Sequence, residues 1–318
     1  MAGSCHKLSK STDLPEIFSK TCTGQNKCYN GTEEIECPVE SDDFFGQDAY
    51  YADKNSCSPQ NFEIENISND NIVADTNTGL QWRQTIPEQT YTWDDAKTYC
   101  EELTYADYSD WRLPSPKEFL TIVDNSKYNP AIDSTYFVNM PNDGYFWTSE
   151  EYNYSDSNSP EPSAYYFGTY FGDISSNAKT EAANVMCVRG NKLPKSTLEI
   201  DKIEEEEIVS DSATELIWQK SYANDKNWQE ALSYCENLEY AGYSDWRLPN
   251  KNELSSLVKY GEHNPASDFP DMPTNTFWTS TTTAEIKDSA WSIDFYSGYV
   301  ATTENKSTTH YVRCVRND

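Results

Sequence analysis

The chain has 318 residues and carries 53 Asp and Glu against 24 Lys and Arg, a formal charge of −29. That length leaves room for two or three ordinary domains, while the charge repels nucleic acid, sulfated polyanions and anionic membranes. Aromatic residues make up 14% of the chain, which argues against a disordered acidic segment.

From the amino terminus, residues 1–60 hold five of the nine cysteines: Cys5, Cys22, Cys28, Cys37 and Cys57. The chain has no CxxC pair and only three histidines, so a zinc site or haem attachment lacks ligands at the usual spacing. Disulfides and an oxidising compartment are the expectation. Cys28 and Cys37 flank "YNGTEEIE" and fit a hairpin closed by a disulfide, with Cys22 and Cys57 bracketing it. Cys5 is left over. It is a candidate lipidation residue because Ala2-Gly3-Ser4 precede it; the alternative is a free or intermolecular thiol. "MAGSC" is too short for a signal peptide, so the start reads as a mature or trimmed chain. No apolar run approaches the roughly 20 residues that span a membrane.

Beyond residue 60 the chain repeats itself. "YSDWRLP" runs from Tyr108 to Pro114 and again from Tyr243 to Pro249, 135 residues later. The same offset relates Trp93 to Trp228, Cys100 to Cys235 and Asn129-Pro130 to Asn264-Pro265. Upstream, "IVADTNTGLQW" matches "IVSDSATELIW"; downstream, "FWTS" and "CVR" each occur twice in the same order. The offset shifts by a few residues, as gaps in loops would produce. Two copies of one domain follow, 61–190 and 197–318, with a linker at 191–196.

Within each copy, Trp93, Ala96, Cys100 and Leu103 stand at helical spacing, with Thr92 and Asp95 placed as a capping box; Asn227 and Glu230 repeat it. A second start signal follows the heptapeptide: Ser115-Pro116-Lys117-Glu118 in copy one, Asn250-Lys251-Asn252-Glu253 in copy two. The heptapeptide therefore links two helices. Trp111 and Leu113 are expected in the core, with Asp110 and Arg112 tied to nearby backbone or to each other. No nucleophile stands beside a plausible base there, so the segment reads as scaffold. The second half of each copy is aromatic and alternating, with a Gly turn at Gly172 or Gly298, and reads as β-strands. Cys187 and Cys314 sit in the last strands, facing the helix cysteines. The expected pairs are Cys100–Cys187 and Cys235–Cys314, each contributing about 4–5 kcal/mol in the chain-entropy account.

"TGLQW", "DWRLPSPKE", "FWTS" and "CVRG", repeated as "TELIW", "DWRLPNKNE", "FWTS" and "CVRND", make each copy resemble the Lcl C-terminal domain family. Thr23 to Tyr51 is similar to a leader often attached to that family in secreted bacterial proteins. The resemblance implies an α+β fold of C-type lectin-like type, related to formylglycine-generating enzymes, with short helices on twisted antiparallel sheets. It also implies secreted or surface proteins, including adhesins that bind host glycans. The charge of −29 departs from glycosaminoglycan-binding members. The copper-binding cysteine pair of the enzyme branch is missing, and no HExxH, GxSxG, P-loop or GxGxxG occurs.

The resulting expectation is a non-catalytic extracellular or cell-surface binding protein for a glycan or protein ligand, with no cofactor. A structural subunit of a self-assembling filament is the alternative, and a formylglycine-generating-type oxidase stands last. Calcium stays open: oxygen ligands abound, but the sugar-binding lectin signature is absent. The copies differ most at Glu150–Ser163 against Thr281–Ser289. Beside that loop, exposed rings are candidates for recognition. They are Tyr152, Tyr154 and Tyr170 in copy one, and Trp291, Tyr296, Tyr299 and His310 in copy two.

Overall fold

The computed structural model describes residues 20–54, 57–153 and 161–317. The amino-terminal segment forms a short hairpin, β1 (Cys28–Tyr29) and β2 (Glu34–Ile35), and a helix, α1 (Asp48–Asp53). Cys28–Cys37 closes the hairpin, and Cys22–Cys57 brackets the segment that holds the hairpin and α1, in agreement with the spacing. Cys5 and Tyr154 lie outside the described residues.

Copy one contains β3 (Phe62–Ile67), β4 (Asp70–Asp75), β5 (Gln81–Arg83), α2 (Trp93–Glu101), α3 (Pro116–Thr121), β6 (Tyr145–Tyr152), β7 (Ser163–Gly168), β8 (Asp173–Ala178) and β9 (Val188–Arg189). Copy two contains β10 (Leu198–Ile203), β11 (Glu206–Asp211), β12 (Leu216–Gln219), β13 (Ala223–Lys226), α4 (Trp228–Glu236), α5 (Lys251–Ser256), β14 (Thr276–Thr282), β15 (Ser289–Asp294), β16 (Tyr299–Asn305), β17 (His310–Val312) and β18 (Val315–Asn317). The fold is α+β, mostly antiparallel sheet with short helices. Each copy has a small four-stranded sheet, β3-β4-β5-β9 or β10-β11-β12-β18. Their outer strands, β3 and β10, show charged side chains to solvent, a device that discourages edge pairing.

The remaining strands form one eight-stranded sheet, β13-β17-β14-β15-β16-β8-β7-β6. Its middle is the junction of the two copies, where β16 runs antiparallel to β8 with Val300 beside Ile174. The copies are therefore joined edge to edge, beyond the simple tandem that the repeat implies. Both residues are buried, so each copy covers the other's open sheet edge. One hydrophobic core runs through both, holding Phe119, Phe167 and Ile174 from copy one and Leu254, Ile293 and Val300 from copy two.

A smaller core in each copy surrounds a disulfide. Trp93, Ala96, Cys100, Trp111, Leu113, Trp147 and Cys187 form one. Trp228, Ala231, Cys235, Trp246, Leu248, Trp278 and Cys314 form the other. Cys100–Cys187 and Cys235–Cys314 are both present. Trp111, Leu113 and Pro114 of the heptapeptide are buried, and Arg112 reaches the carbonyls of Leu113 and Gly190 as expected, but the main partners of its charges are other side chains. Arg112 makes a two-pronged ion pair with Glu118, at 2.7 and 2.6 Å, and Asp110 binds Arg189 of the last strand at 2.7 Å. Arg247 repeats this with Glu253, and Asp245 with Arg316. Glu118 and Glu253 also complete the capping boxes of α3 and α5, so one carboxylate serves both the helix start and the link. The box of α4 is present as well. That of α2 is not: Thr92 donates instead to Asp95 at 2.7 Å. The Asp side chain is one methylene shorter than Glu and does not reach back to the N-cap amide.

Trp246→Ala is expected to lose about 3–5 kcal/mol of stability in urea unfolding, as for a buried Trp. Arg247→Ala, which strands the buried Glu253, should cost about 3–5 kcal/mol. Arg112→Ala should cost less, because Arg112 is more open to solvent than Arg247.

Candidate functional site

The described aromatic residues among those singled out by the sequence are spread over several places. Tyr152 and Tyr299 meet at the junction, with ring centroids 5.6 Å apart, and Tyr165 packs edge-on against Tyr152 at 5.3 Å. The Tyr299 hydroxyl shares a 2.6 Å hydrogen bond with Ser176 Oγ of copy one. These rings hold the copies together. Trp291 is a core residue and not a surface ring: it is 2% exposed, and Lys251 Nζ lies 3.3 Å from its ring centroid. Strand β15 is buried on both faces from Ser289 to Ile293, so no ring there reaches the surface. Tyr170 is half-buried beside Tyr128, and its hydroxyl donates to Glu285 Oε1 at 3.0 Å. Tyr296 is half-buried, and its carbonyl accepts from the Asn264 amide at 3.0 Å. His310 stands apart on β17, edge-on to Trp278 with centroids 4.5 Å apart and 3.2 Å from Glu304 Oε2. Among the described residues of the set, only Tyr152 and Tyr299 come together.

A different surface carries the clearest chemistry. Tyr222 stacks nearly parallel on Tyr311, centroids 5.3 Å apart at 16°, and remains 43% exposed. It borders an open depression lined by Lys202, Glu205, Glu207, Lys220, Tyr240 and Asp271. Lys220 pairs with Glu207 at 2.6 Å and Asp271 at 3.3 Å; the Glu207 hydrogen bond chiefly holds its pKa above the usual lysine value. Beneath, Arg313 is fully buried, with its guanidinium 4.0 Å from the Phe269 ring and 5.8 Å from Tyr222. Its Nη1 donates to the carbonyls of Gln219 and Lys220, while Nε has no partner among the described residues. Burial lowers its pKa. A signal for this surface lay in the sequence. Aligned on the flanking Trp and Cys residues, Tyr222, Tyr311 and Arg313 stand where copy one has Ile86, Asn184 and Met186.

A second polar cluster is buried where the amino-terminal segment seals the junction. Gln25 Nε2 donates to the carbonyls of Asn125 in copy one and Thr282 in copy two, at 3.2 and 3.0 Å. Asp48 Oδ2 accepts from Thr23 Oγ1 at 2.5 Å and Thr281 Oγ1 at 2.6 Å. Burial pushes the Asp48 carboxyl up to about 6, against the pull of those two hydroxyls. The folded chain thus keeps this proton up to about pH 6, whereas the unfolded chain releases it near the ordinary value of 3.8. Between those values the folded state binds more protons, so stability falls as pH rises. Relative to Asp48→Asn, the wild type should lose about 2 kcal/mol between pH 4 and pH 6.5, read from urea unfolding at each pH.

The sequence model of the Lcl C-terminal domain matches twice, over residues 71–189 and 207–316, one match within each repeat. No curated protein is similar enough to match. The two matches together span well over half of the chain, which belongs to the Lcl C-terminal domain family and carries that domain in tandem.

Proposed function

We propose that the protein is an extracellular, non-catalytic binding protein of adhesin or receptor type, and that copy two carries its recognition surface. The observation behind this is the Tyr222–Tyr311 stack beside an acidic depression. An exposed ring offers its face to the C–H groups of a sugar, and flanking carboxylates accept hydrogen bonds from hydroxyls. With 53 acidic residues, the surface favours neutral or amine-bearing glycans over sulfated ones. Four disulfides fit an oxidising compartment outside the cytoplasm, and no helix among the described residues is long and apolar enough to cross a membrane. We read the fold as C-type lectin-like, on the helix-to-last-strand disulfide and the short helices over antiparallel sheet. Display on a bacterial surface, with Cys5 as a lipid anchor, belongs to the same reading.

A structural subunit is the second reading, favoured by one specific feature. Ile64 and Ile200 occupy corresponding places on the outer strands β3 and β10 and are 48% and 49% exposed. Exposed apolar residues at two equivalent positions suit lateral contacts between chains, although the charged neighbours on those strands discourage direct strand pairing.

Binding to arrayed neutral, amine-bearing and sulfated oligosaccharides tests the first reading. Binding to the first two classes is expected, with Tyr222→Ser weakening it about five- to tenfold and leaving thermal stability unchanged. Absence of glycan binding, together with a native mass far above that of the monomer, would favour the structural subunit.

A further inference from the structure

Lys251 and Asn125 come from opposite copies, 126 residues apart, and meet in the buried cluster under the amino-terminal segment. Lys251 is the first residue of α5, where copy one has Pro116. Its amide donates to Thr281 Oγ1 at 2.9 Å, which fixes the start of the side chain. That side chain is wholly buried, and crosses the junction to donate from Nζ to Asn125 Oδ1 at 3.0 Å and to the Gly172 carbonyl at 2.8 Å. The Trp291 ring covers Nζ at 3.3 Å. Asn125 is buried and held from three sides: Nδ2 and the backbone amide both donate to the Thr23 carbonyl, and its own carbonyl accepts from Gln25 Nε2.

This is a costly place for a lysine if its only task is two hydrogen bonds. Burial drives the ammonium pKa well below its usual value; Asp173 and Asp48 oppose this only through longer-range attraction. The neutral amine is therefore within reach, and a desolvated amine is a good nucleophile. With Nζ 3.0 Å from Oδ1 and a C=O bond of about 1.2 Å, Nζ lies within about 4.2 Å of the amide carbon Cγ. The fold itself brings both groups to that separation, so the reaction needs no encounter step.

We propose that Lys251 and Asn125 are the partners of an intramolecular isopeptide cross-link joining the two copies. The Nζ lone pair attacks Asn125 Cγ, and a Cγ–Nζ bond forms. The Cγ–Nδ2 bond breaks, one Nζ proton passes to Nδ2, and ammonia leaves. Nothing is oxidised or reduced, and no co-reactant is required. The amide product keeps one N–H, which still donates to the Gly172 carbonyl. Asp48 lies in the same hydrogen-bonded cluster, linked through Thr281 to Lys251 and through Thr23 to Asn125. The cross-link would convert the edge-to-edge sheet contact into a covalent one.

The test is mass spectrometry of the full chain after reduction and denaturation. The expected mass is below that of the sequence by one ammonia, with a branched tryptic peptide joining Lys251 to Asn125 and no cleavage after Lys251. In Lys251→Met the missing ammonia should return. A wild-type mass equal to the sequence, with Lys251 in ordinary linear peptides, would overturn the proposal. Loss of ammonia at Asn125 without attached Lys251 would overturn it too.

Discussion

Pairing of β8 with β16 is the contact on which the rest of the molecule depends. Without it each copy would present an open edge of an aromatic sheet, with Ile174 or Val300 facing water. With it, the two sheets become one, α3 packs against α5, and a single core passes between the copies. The same contact explains where the aromatic residues went. Tyr152, Tyr165, Tyr260 and Tyr299 fill the junction, so rings that look like a ligand platform in the sequence are spent on internal packing. The amino-terminal segment is part of this arrangement. Gln25 and Gln60 donate to backbone carbonyls of copy one, and Gln25, Asp48 and Tyr51 hydrogen-bond copy two.

Inside each copy, a carboxylate with two tasks organises the framework. Glu118 and Glu253 cap a helix and at the same time neutralise the arginine of the heptapeptide. Backbone hydrogen bonds in both directions between Arg112 and Val188, and between Arg247 and Val315, then fix the link to the residue just after the disulfide cysteine. Tyr108 and Tyr243 complete the unit by lying under Arg189 and Arg316. The tyrosine, aspartate, tryptophan, arginine and leucine of "YSDWRLP" thus each have a structural task, which accounts for its recurrence.

The sequence exposed what is local and repeated: the capping boxes of α3, α4 and α5, the inward Trp and Cys spacing, and disulfides placed alike in both copies. It did not expose what depends on distant strands meeting. Strands β8 and β16 carry the same alternation whether they face solvent or each other, so no residue pattern announces the pairing. The small sheets were also hidden, because β3 and β10 are edge strands whose acidic residues and exposed Ile64 and Ile200 obscure the inward face. The Tyr222 surface was legible in principle. It required comparing single residues between copies, Met186 with Arg313 and Asn184 with Tyr311, where loop length drew attention instead. Lys251 could be read only as a helix-start residue, since its partner Asn125 lies in the other copy.

The central claim, that the two copies form one body through their sheet edges, is tested most directly by hydrogen exchange at Ile174 and Val300 alongside amides of both small sheets. One body predicts that the amides of β8 and β16 exchange only through global unfolding, together with the small-sheet amides of both copies. Exchange of β8 and β16 at loop-like rates, with the two small sheets each opening independently, would contradict it.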